Sequence, residues 1–279
     1  MADFYKYHGL GNDYLVIDPA KIKINLNEHN IKLICDRNFG VGSDGILYGP
    51  VMEGSKIYLR IFNPDGSEAE KSGNGIRIFA RYLWDSGYVT ENKFELQTKS
   101  GVVTAELLDQ RDSLIKIDMG RFSFLSKDIP TNSSSEQSIN EEIKILDKIF
   151  TVDCITIGNP HCVIMVDSPT EEMAKKYGPE IEIHTLFPNR TNVQFVKVLD
   201  RNNIQIEIWE RGAGYTLASG SSSVAASCVA HQKGLVSSDV TVHMRGGKVK
   251  VAIDGDKAYL TGTVRKIMEG VFSEELIWK

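Results

Sequence analysis

Short runs of alternating apolar and polar residues recur along most of the chain, and they predict a sheet-rich α/β protein. The predicted strands cover residues 14–18, 56–62, 93–98, 102–107, 114–119, 155–157, 162–166, 192–198 and 205–209. Helical periodicity is rarer and predicts helices at 30–36, 74–86, 170–177 and 221–233. The polar, serine-rich segment 126–143 predicts a loop near a domain boundary.

Two stretches of the chain share one order of turns and elements, which indicates an internal repeat. Ser72 and Ser219 each precede a glycine and a helical run, and each run ends at a glycine fifteen residues later, Gly87 or Gly234. A strand, a turn glycine and a second strand follow in both stretches. The sequence therefore predicts two copies of one α/β unit.

Each of the two serine-led turns exposes backbone amides at the start of a predicted helix. These amides have no intrahelical partner, and together with the helix dipole they attract anions. Serine is also a common helix cap, so capping alone explains either turn taken singly. As a pair, the turns are predicted to face each other across one small-molecule site. One side chain on each face of an α-carbon is the geometry of a two-base racemase.

Composition and charge argue against several classes of partner and cofactor but do not identify the function. The net charge is -5, and no basic block is present, so no nucleic-acid partner is expected. No apolar run suits a signal peptide or a membrane span, which predicts a cytoplasmic protein without a membrane partner. The histidines are scattered and no lysine context suggests pyridoxal phosphate, so neither a metal nor a cofactor is expected. Buried structural thiols are predicted at Cys35, Cys154, Cys162 and Cys228.

Several polar residues stand where apolar runs end. Four are asparagines: Asn12, Asn63, Asn159 and Asn192. Glu210 and Arg211 close a predicted strand just before Gly212. Taken alone, such asparagines are typical of turns, and a Glu-Arg pair is typical of a solvated ion pair.

Six segments, in order and spacing, give a specific match to a known family. They are KYHGLGNDYLVID, ICDRNFGVGSDGIL, FNPDGSEAEKSGNGIRIFARYL, GNPHCVIMV, RTNVQFV and WERGAGYTLASGSSS. Over nearly its whole length the chain resembles the diaminopimelate epimerase family. The resemblance implies two pseudo-symmetric α/β domains, each a strongly curved mixed sheet around a central helix, with the active site in the cleft between them. The implied domains are residues 1–118, completed by 266–279, and residues 119–265.

The resemblance also implies an activity and a set of site residues. The activity is cofactor-independent inversion at an amino-acid α-carbon, converting LL- to meso-diaminopimelate in lysine and cell-wall synthesis, and a homodimer is implied as well. The catalytic positions correspond to Ser72 and Ser219. Backbone amides that hold the reacting carboxylate correspond to Gly73, Asn74, Gly220 and Ser221. The implied contacts of the distal end are Asn63, Asn159, Asn192 and Arg211 with its carboxylate and Glu210 with its ammonium, and Asn12 lines the pocket.

The chain departs from the family at the two catalytic positions, where the family has cysteine. A cysteine thiol has a pKa of about 8.5, whereas a serine hydroxyl lies nearer to the value of about 15.7 for water. A helix dipole, worth about 0.3–2 kcal/mol, does not close that gap. Tyr215 also replaces a glutamate, and Ser221 begins a run of three serines where the family has GTGA.

Three interpretations of these departures remain open. The chain is an engineered double Cys→Ser variant that traps its ligand, a natural relative with altered chemistry, or a catalytically silent binding protein. The altered chemistry would be another isomerisation, also of another amino acid, or an elimination assisted by hydroxyl groups. The symmetric change at positions 72 and 219 favours the first. Tyr215 and the serine run favour the second, because a trap does not require them.

Overall fold

The computed structural model describes residues 3–109 and 113–277, and the chain divides into two compact units. Unit 1 comprises Met1–Ile117 with Gly262–Lys279, and unit 2 comprises Asp118–Thr261. Within the described ranges, no helix has the length and apolar character needed to cross a membrane.

Strands dominate both units. In chain order they are β1 (Phe4–Gly9), β2 (Asn12–Ile17), β3 (Ile46–Glu53), β4 (Lys56–Phe62), β5 (Glu68–Ala69), β6 (Lys93–Thr98), β7 (Gly101–Asp109), β8 (Leu114–Arg121), β9 (Glu141–Ile145), β10 (Lys148–Thr156), β11 (Pro160–Met165), β12 (Asn192–Asp200), β13 (Asn203–Glu210), β14 (Gly214–Thr216), β15 (Asp239–Met244), β16 (Gly247–Asp254), β17 (Lys257–Thr263) and β18 (Arg265–Gly270). The helices are α1 (Glu28–Cys35), α2 (Gly73–Asp85), α3 (Glu171–Glu182), α4 (Gly220–Gln232) and α5 (Glu274–Ile277).

The same order of strand pairing occurs in both units. In unit 1, β1–β2 is antiparallel, β2–β3 parallel, β3–β4 and β4–β5 antiparallel, β4–β6 parallel, and β6–β7–β8 antiparallel. Unit 2 repeats this sequence from β10–β11 through to β16–β17. A strand from further along or earlier in the chain completes each sheet, because β18 pairs with β1 and β9 pairs with β10. The prediction of two pseudo-symmetric domains with mixed sheets is confirmed.

One long helix forms the centre of each unit. Helices α2 and α4 both have 13 residues, and ten of the 13 are buried in each. Helix α2 contacts β1, β2, β3 and β7, whereas α4 contacts β10 to β13, β15 and β16. Because strands from both halves of a sheet reach one helix, each sheet curves around it.

Helix α3 is longer than its sequence pattern predicts. The expected helix ends at residue 177, since Gly178-Pro179 is typical of a helix stop, yet the helix continues to Glu182. Trp209 of β13 explains the glycine, because a Cβ at position 178 would lie 2.6 Å from the Trp209 Cβ. The Glu182 carboxylate accepts a hydrogen bond of 2.7 Å from Trp209 Nε1. Tertiary contacts with β13 therefore hold the final turn in place.

Candidate active site

In unit 1, Ser72 is the N-cap of α2 and contacts a tyrosine hydroxyl. Its backbone is extended, and its Oγ accepts a hydrogen bond of 3.0 Å from the Gly75 amide. The hydroxyl of Tyr14, a residue of β2 that is 7% exposed, lies 3.1 Å from the same Oγ, and either group can donate. Tyr14 is not among the predicted site residues. No sequence signal marks its contact with Ser72, because the contact joins residues 58 positions apart.

Asn12 and Asn74, both predicted site residues, are hydrogen-bonded to each other. Asn74 Nδ2 donates to Asn12 Oδ1 at 3.0 Å, and Asn12 Nδ2 donates to Asp44 Oδ2 at 2.9 Å. Arg37 in turn donates to Asp44 at 2.8 Å. A continuous polar network therefore positions the first turn of α2 against the loop between β1 and β2.

Asp13, the second residue of β2, anchors the start of this strand. Its carboxylate pairs with Lys6 at 2.9 Å and with Arg37 at 2.7 Å. Burial opposes ionisation of this group, but the hydrogen bonds from Arg37 and Lys6 outweigh it and lower the pKa of the Asp13 carboxyl. Ionised, partly buried pairs therefore hold the start of β2, where Asn12 lies.

Asn63 lies in a tight turn after β4. Its Nδ2 donates to Ser67 Oγ at 3.0 Å, and its amide donates to the Ser67 carbonyl at 2.8 Å. Of the hydrogen bonds that the structure describes, none joins Asn63 to Ser72 or Asn12. Its predicted role with the distal carboxylate stays a prediction.

In unit 2, Ser219 is the N-cap of α4 and has only serine neighbours in its described hydrogen bonds. Its Oγ accepts a bond of 3.4 Å from the Ser222 amide and lies 3.4 Å from Ser221 Oγ. Ser223 Oγ donates to the Ser219 carbonyl at 2.7 Å. Ser222 Oγ accepts from Gln194 Nε2 at 3.0 Å. Ser222 and Ser223 are therefore part of the internal packing of unit 2, and Ser221 is the half-buried member of the run.

The asparagines of unit 2 lie together at the ends of neighbouring strands. The parallel pairing of β11 and β12 places His161 opposite Asn192. Asn192 Nδ2 donates to the Pro160 carbonyl at 2.9 Å, while its Oδ1 accepts from the Arg211 amide at 3.0 Å. Asn159 Oδ1 lies 3.1 Å from His161 Nε2. The structure thus brings Asn159 and Asn192 to neighbouring strand ends and the Arg211 backbone to Asn192, while Arg211 Nη1 donates to the Asn189 carbonyl at 3.4 Å.

Glu182 of α3 holds the segment that carries Glu210 and Arg211. Besides accepting from Trp209, the Glu182 carboxylate accepts a bond of 3.0 Å from the Gly212 amide. Glu210 is half-buried at the end of β13, and the Arg211 side chain is exposed. Hydrogen bonds to Glu182 therefore fix the chain on both sides of Glu210 and Arg211. Glu182 is not among the residues predicted from the sequence.

His161 is fully buried beside Asn159 and Asn192. Burial lowers the pKa of its imidazole to about 3. The imidazole is consequently neutral at physiological pH and supplies no positive charge for a carboxylate.

Tyr215 is held by residues of its own unit. Its hydroxyl donates to Glu207 at 2.7 Å, and its ring packs against the core cluster that includes Phe195. Burial and the bond to Glu207 raise the pKa of the phenol. The Tyr215 phenol therefore stays protonated and donates its hydrogen bond to the Glu207 carboxylate.

All four cysteines are buried and free, as predicted. None of the described hydrogen bonds joins a cysteine to Ser72 or Ser219. The exposed fractions of the cysteines are 4% or less, so they are core residues. Burial raises the pKa of the Cys228 thiol of α4 and of Cys162, which keeps both protonated.

Comparisons with known proteins match this chain over nearly its whole length. A family model for diaminopimelate epimerase matches residues 4–125 and 154–267. The chain is 54% identical to diaminopimelate epimerase 2 of Nostoc sp. strain PCC 7120, covering 98% of this chain and 96% of that protein. It is 40% identical to the diaminopimelate epimerase of Caldanaerobacter subterraneus subsp. tengcongensis, covering 96% and 98%.

Solved structures of more distant proteins share the fold. A hydroxyproline epimerase from Agrobacterium vitis superposes with a TM-score of 0.69 at 14% identity, covering 95% of this chain and 90% of that one. A PhzF-family phenazine biosynthesis protein from Bacillus anthracis gives 0.66 at 16% identity, covering 96% and 97%. At such identities the likeness concerns the fold alone.

Proposed function

This chain belongs to the diaminopimelate epimerase family, and from that premise we propose that it binds a diaminopimelate-like amino acid and exchanges a proton at its α-carbon without a cofactor. The observation that carries the proposal is the duplication. Ser72 and Ser219 are the N-caps of equivalent, largely buried helices in two pseudo-symmetric domains. A two-base reaction at one carbon requires such a matched pair of positions.

The binding roles follow the polarity of the ligand. The amides of Gly73, Asn74, Gly220 and Ser221 hold the carboxylate of the reacting centre, because helix N-termini favour anions. Arg211, Asn159 and Asn192 hold the distal carboxylate together with Asn63, and Glu210 meets the distal ammonium. The proximity of Asn159, Asn192 and the Arg211 backbone in unit 2 supports this assignment.

Proton transfer at the Ser72 turn is assigned to Ser72 together with Tyr14. The Ser72 oxygen takes the α-proton while the Ser72 proton passes to the phenolate of Tyr14, 3.1 Å away. A tyrosine has an ordinary pKa of about 10, close to the value of about 8.5 for cysteine and far below that of serine. The described contacts of Ser219 include hydroxyls and an amide only. Exchange with retention should therefore be faster than inversion.

The buried hydrogen bonds of the serine run 221–223 favour a natural relative over an engineered trap. Ser222 and Ser223 form buried hydrogen bonds inside unit 2, so they belong to the packing of α4. A second candidate function is ligand binding without turnover, which the described hydrogen bonds of Ser219, to hydroxyls and an amide only, favour. The homodimer implied by the family remains a prediction.

Calorimetric titration tests the ligand class. We expect meso-diaminopimelate to bind, and L-lysine, which lacks the distal carboxylate, to bind at least tenfold more weakly, because a charged hydrogen bond is worth about 1.5–3 kcal/mol. Arg211→Ala should remove most of this discrimination, while Arg265→Ala, at an exposed residue of β18, should leave it unchanged. Equal affinity for both ligands, or binding of neither, would refute the assignment.

A further inference from the structure

Arg77 is a fully buried cation on the central helix of unit 1. It lies five residues after Ser72 in α2, and its exposed fraction is 0%. It leads the fully buried side chains in size. Arginine is almost never fully buried unless an anion pairs with it.

No carboxylate pairs with Arg77 in the part of the chain that the structure describes. Its Nη2 donates to Asn74 Oδ1 at 2.7 Å, and its Nε and Nη1 atoms have no hydrogen-bond partner. Burial lowers the pKa of the guanidinium to about 10, so it still carries its charge at neutral pH. An unneutralised buried charge strongly destabilises a fold.

The charge lies directly behind the Ser72 turn. Asn74, which accepts the Arg77 bond, contributes its own backbone amide to that turn and donates to Asn12 at 3.0 Å. Strand β1 approaches closely, since a Cβ at Gly9 would lie 3.4 Å from Arg77 Nη2. Packing thus keeps the guanidinium beneath the first turn of α2.

Among the residues that the structure describes, no buried lysine or arginine lies behind the second serine-led turn. Five residues after Ser219 the chain has Val224, also fully buried. The nearby imidazole of His161 is neutral, as its low pKa shows. Two turns with the same backbone form therefore differ by one buried positive charge.

We infer that Arg77 is the counter-charge for the anion that binds at the Ser72 turn, and that it makes this turn the stronger of the two anion sites. It is a positioning residue that acts through Asn74. The identity of the anion, an amino-acid carboxylate or its enediolate, rests on the proposed function. The electrostatic role is independent of that function, and it applies to any negative charge formed at position 72.

A cysteine placed at position 72 or 219 reports this charge directly. Thiolate absorbance against pH gives the thiol pKa in Ser72→Cys and in Ser219→Cys, with the native chain and its buried thiols as the blank. We expect the thiol at position 72 to have a pKa about one unit below that at position 219. Arg77→Met in the Ser72→Cys chain should raise the pKa by about one unit, and Arg77→Lys should keep most of the depression.

Arg81→Met is the matched control, because Arg81 lies one turn further along α2 and is already paired with Asp85 at 2.7 Å. It should leave the pKa unchanged. An equal pKa at positions 72 and 219, or equal effects of Arg77→Met and Arg77→Lys, would overturn the inference. If Arg77→Met does not fold, the comparison of positions 72 and 219 and the Arg77→Lys chain still decide. No substrate is involved, so failure of the proposed function would not imitate either result.

Discussion

Restoring cysteine at both turns, as Ser72→Cys with Ser219→Cys, is expected to raise the rate of α-proton exchange on meso-diaminopimelate by about 10²- to 10⁴-fold. The cause is the acidity of the exchanging group. A thiol pKa of about 8.5 lies several units below that of a serine hydroxyl, and each unit is about 1.4 kcal/mol. Both positions are helix N-caps, where a thiolate gains further from the helix dipole.

The single variants and one buried variant serve as controls for the double variant. Each single variant should exchange at one face and invert poorly, because inversion needs a base and an acid on opposite faces. Ser227→Cys adds a thiol inside α4, where Ser227 is fully buried, and should change nothing. Deuterium incorporation in ²H₂O, followed by mass spectrometry, gives the rates. A double variant no faster than the native chain would mean that the pocket has changed its substrate.

Replacing Tyr14 by phenylalanine is expected to slow exchange by the native chain about 10²-fold. The ring should stay in place, since it packs against Gly45, where a Cβ would lie 2.7 Å from Tyr14 Cε1. The loss is therefore the hydroxyl that contacts Ser72.

The double cysteine chain is the matched background for this test. There the thiol ionises without help, so Tyr14→Phe should change the rate less than about threefold. A similar loss in both backgrounds would show that the tyrosine acts on packing alone.

Local patterns predicted the regular elements well where burial alternates along the chain. Strands β4 and β6 have the predicted bounds, and α2 differs by one residue at each end. Strand β3 was not predicted, because Gly49-Pro50 is typical of a turn and the pairing with β4 absorbs it through a register shift. Strand β18 has no buried face to produce a pattern, since five of its six residues are exposed, and it is held by backbone pairing with β1.

In the candidate site too, the features that local sequence patterns determine were predicted and those that depend on tertiary contacts were not. The two serine-led turns could be predicted because glycine spacing and helix periodicity are local, and the internal repeat linked them. The roles of Tyr14 and Arg77 could not be predicted, because they depend on tertiary contacts. Tyr14 of β2 contacts Ser72 at the start of α2, and β1 covers Arg77 on that helix. In the sequence Arg77 is one of three charged residues of α2, with Arg81 and Asp85, and a charged residue in a helical run ordinarily faces solvent.

The central claim is that these serine-led turns still exchange the α-proton of a diaminopimelate-like amino acid. Incubation of the native chain with meso-diaminopimelate in ²H₂O tests it most directly, with Ser72→Ala/Ser219→Ala as the control. We predict one deuterium at an α-carbon, incorporated faster with retention than with inversion. Incorporation no greater than in the control, at a ligand concentration that calorimetry shows to be saturating, would contradict the claim and leave a binding protein.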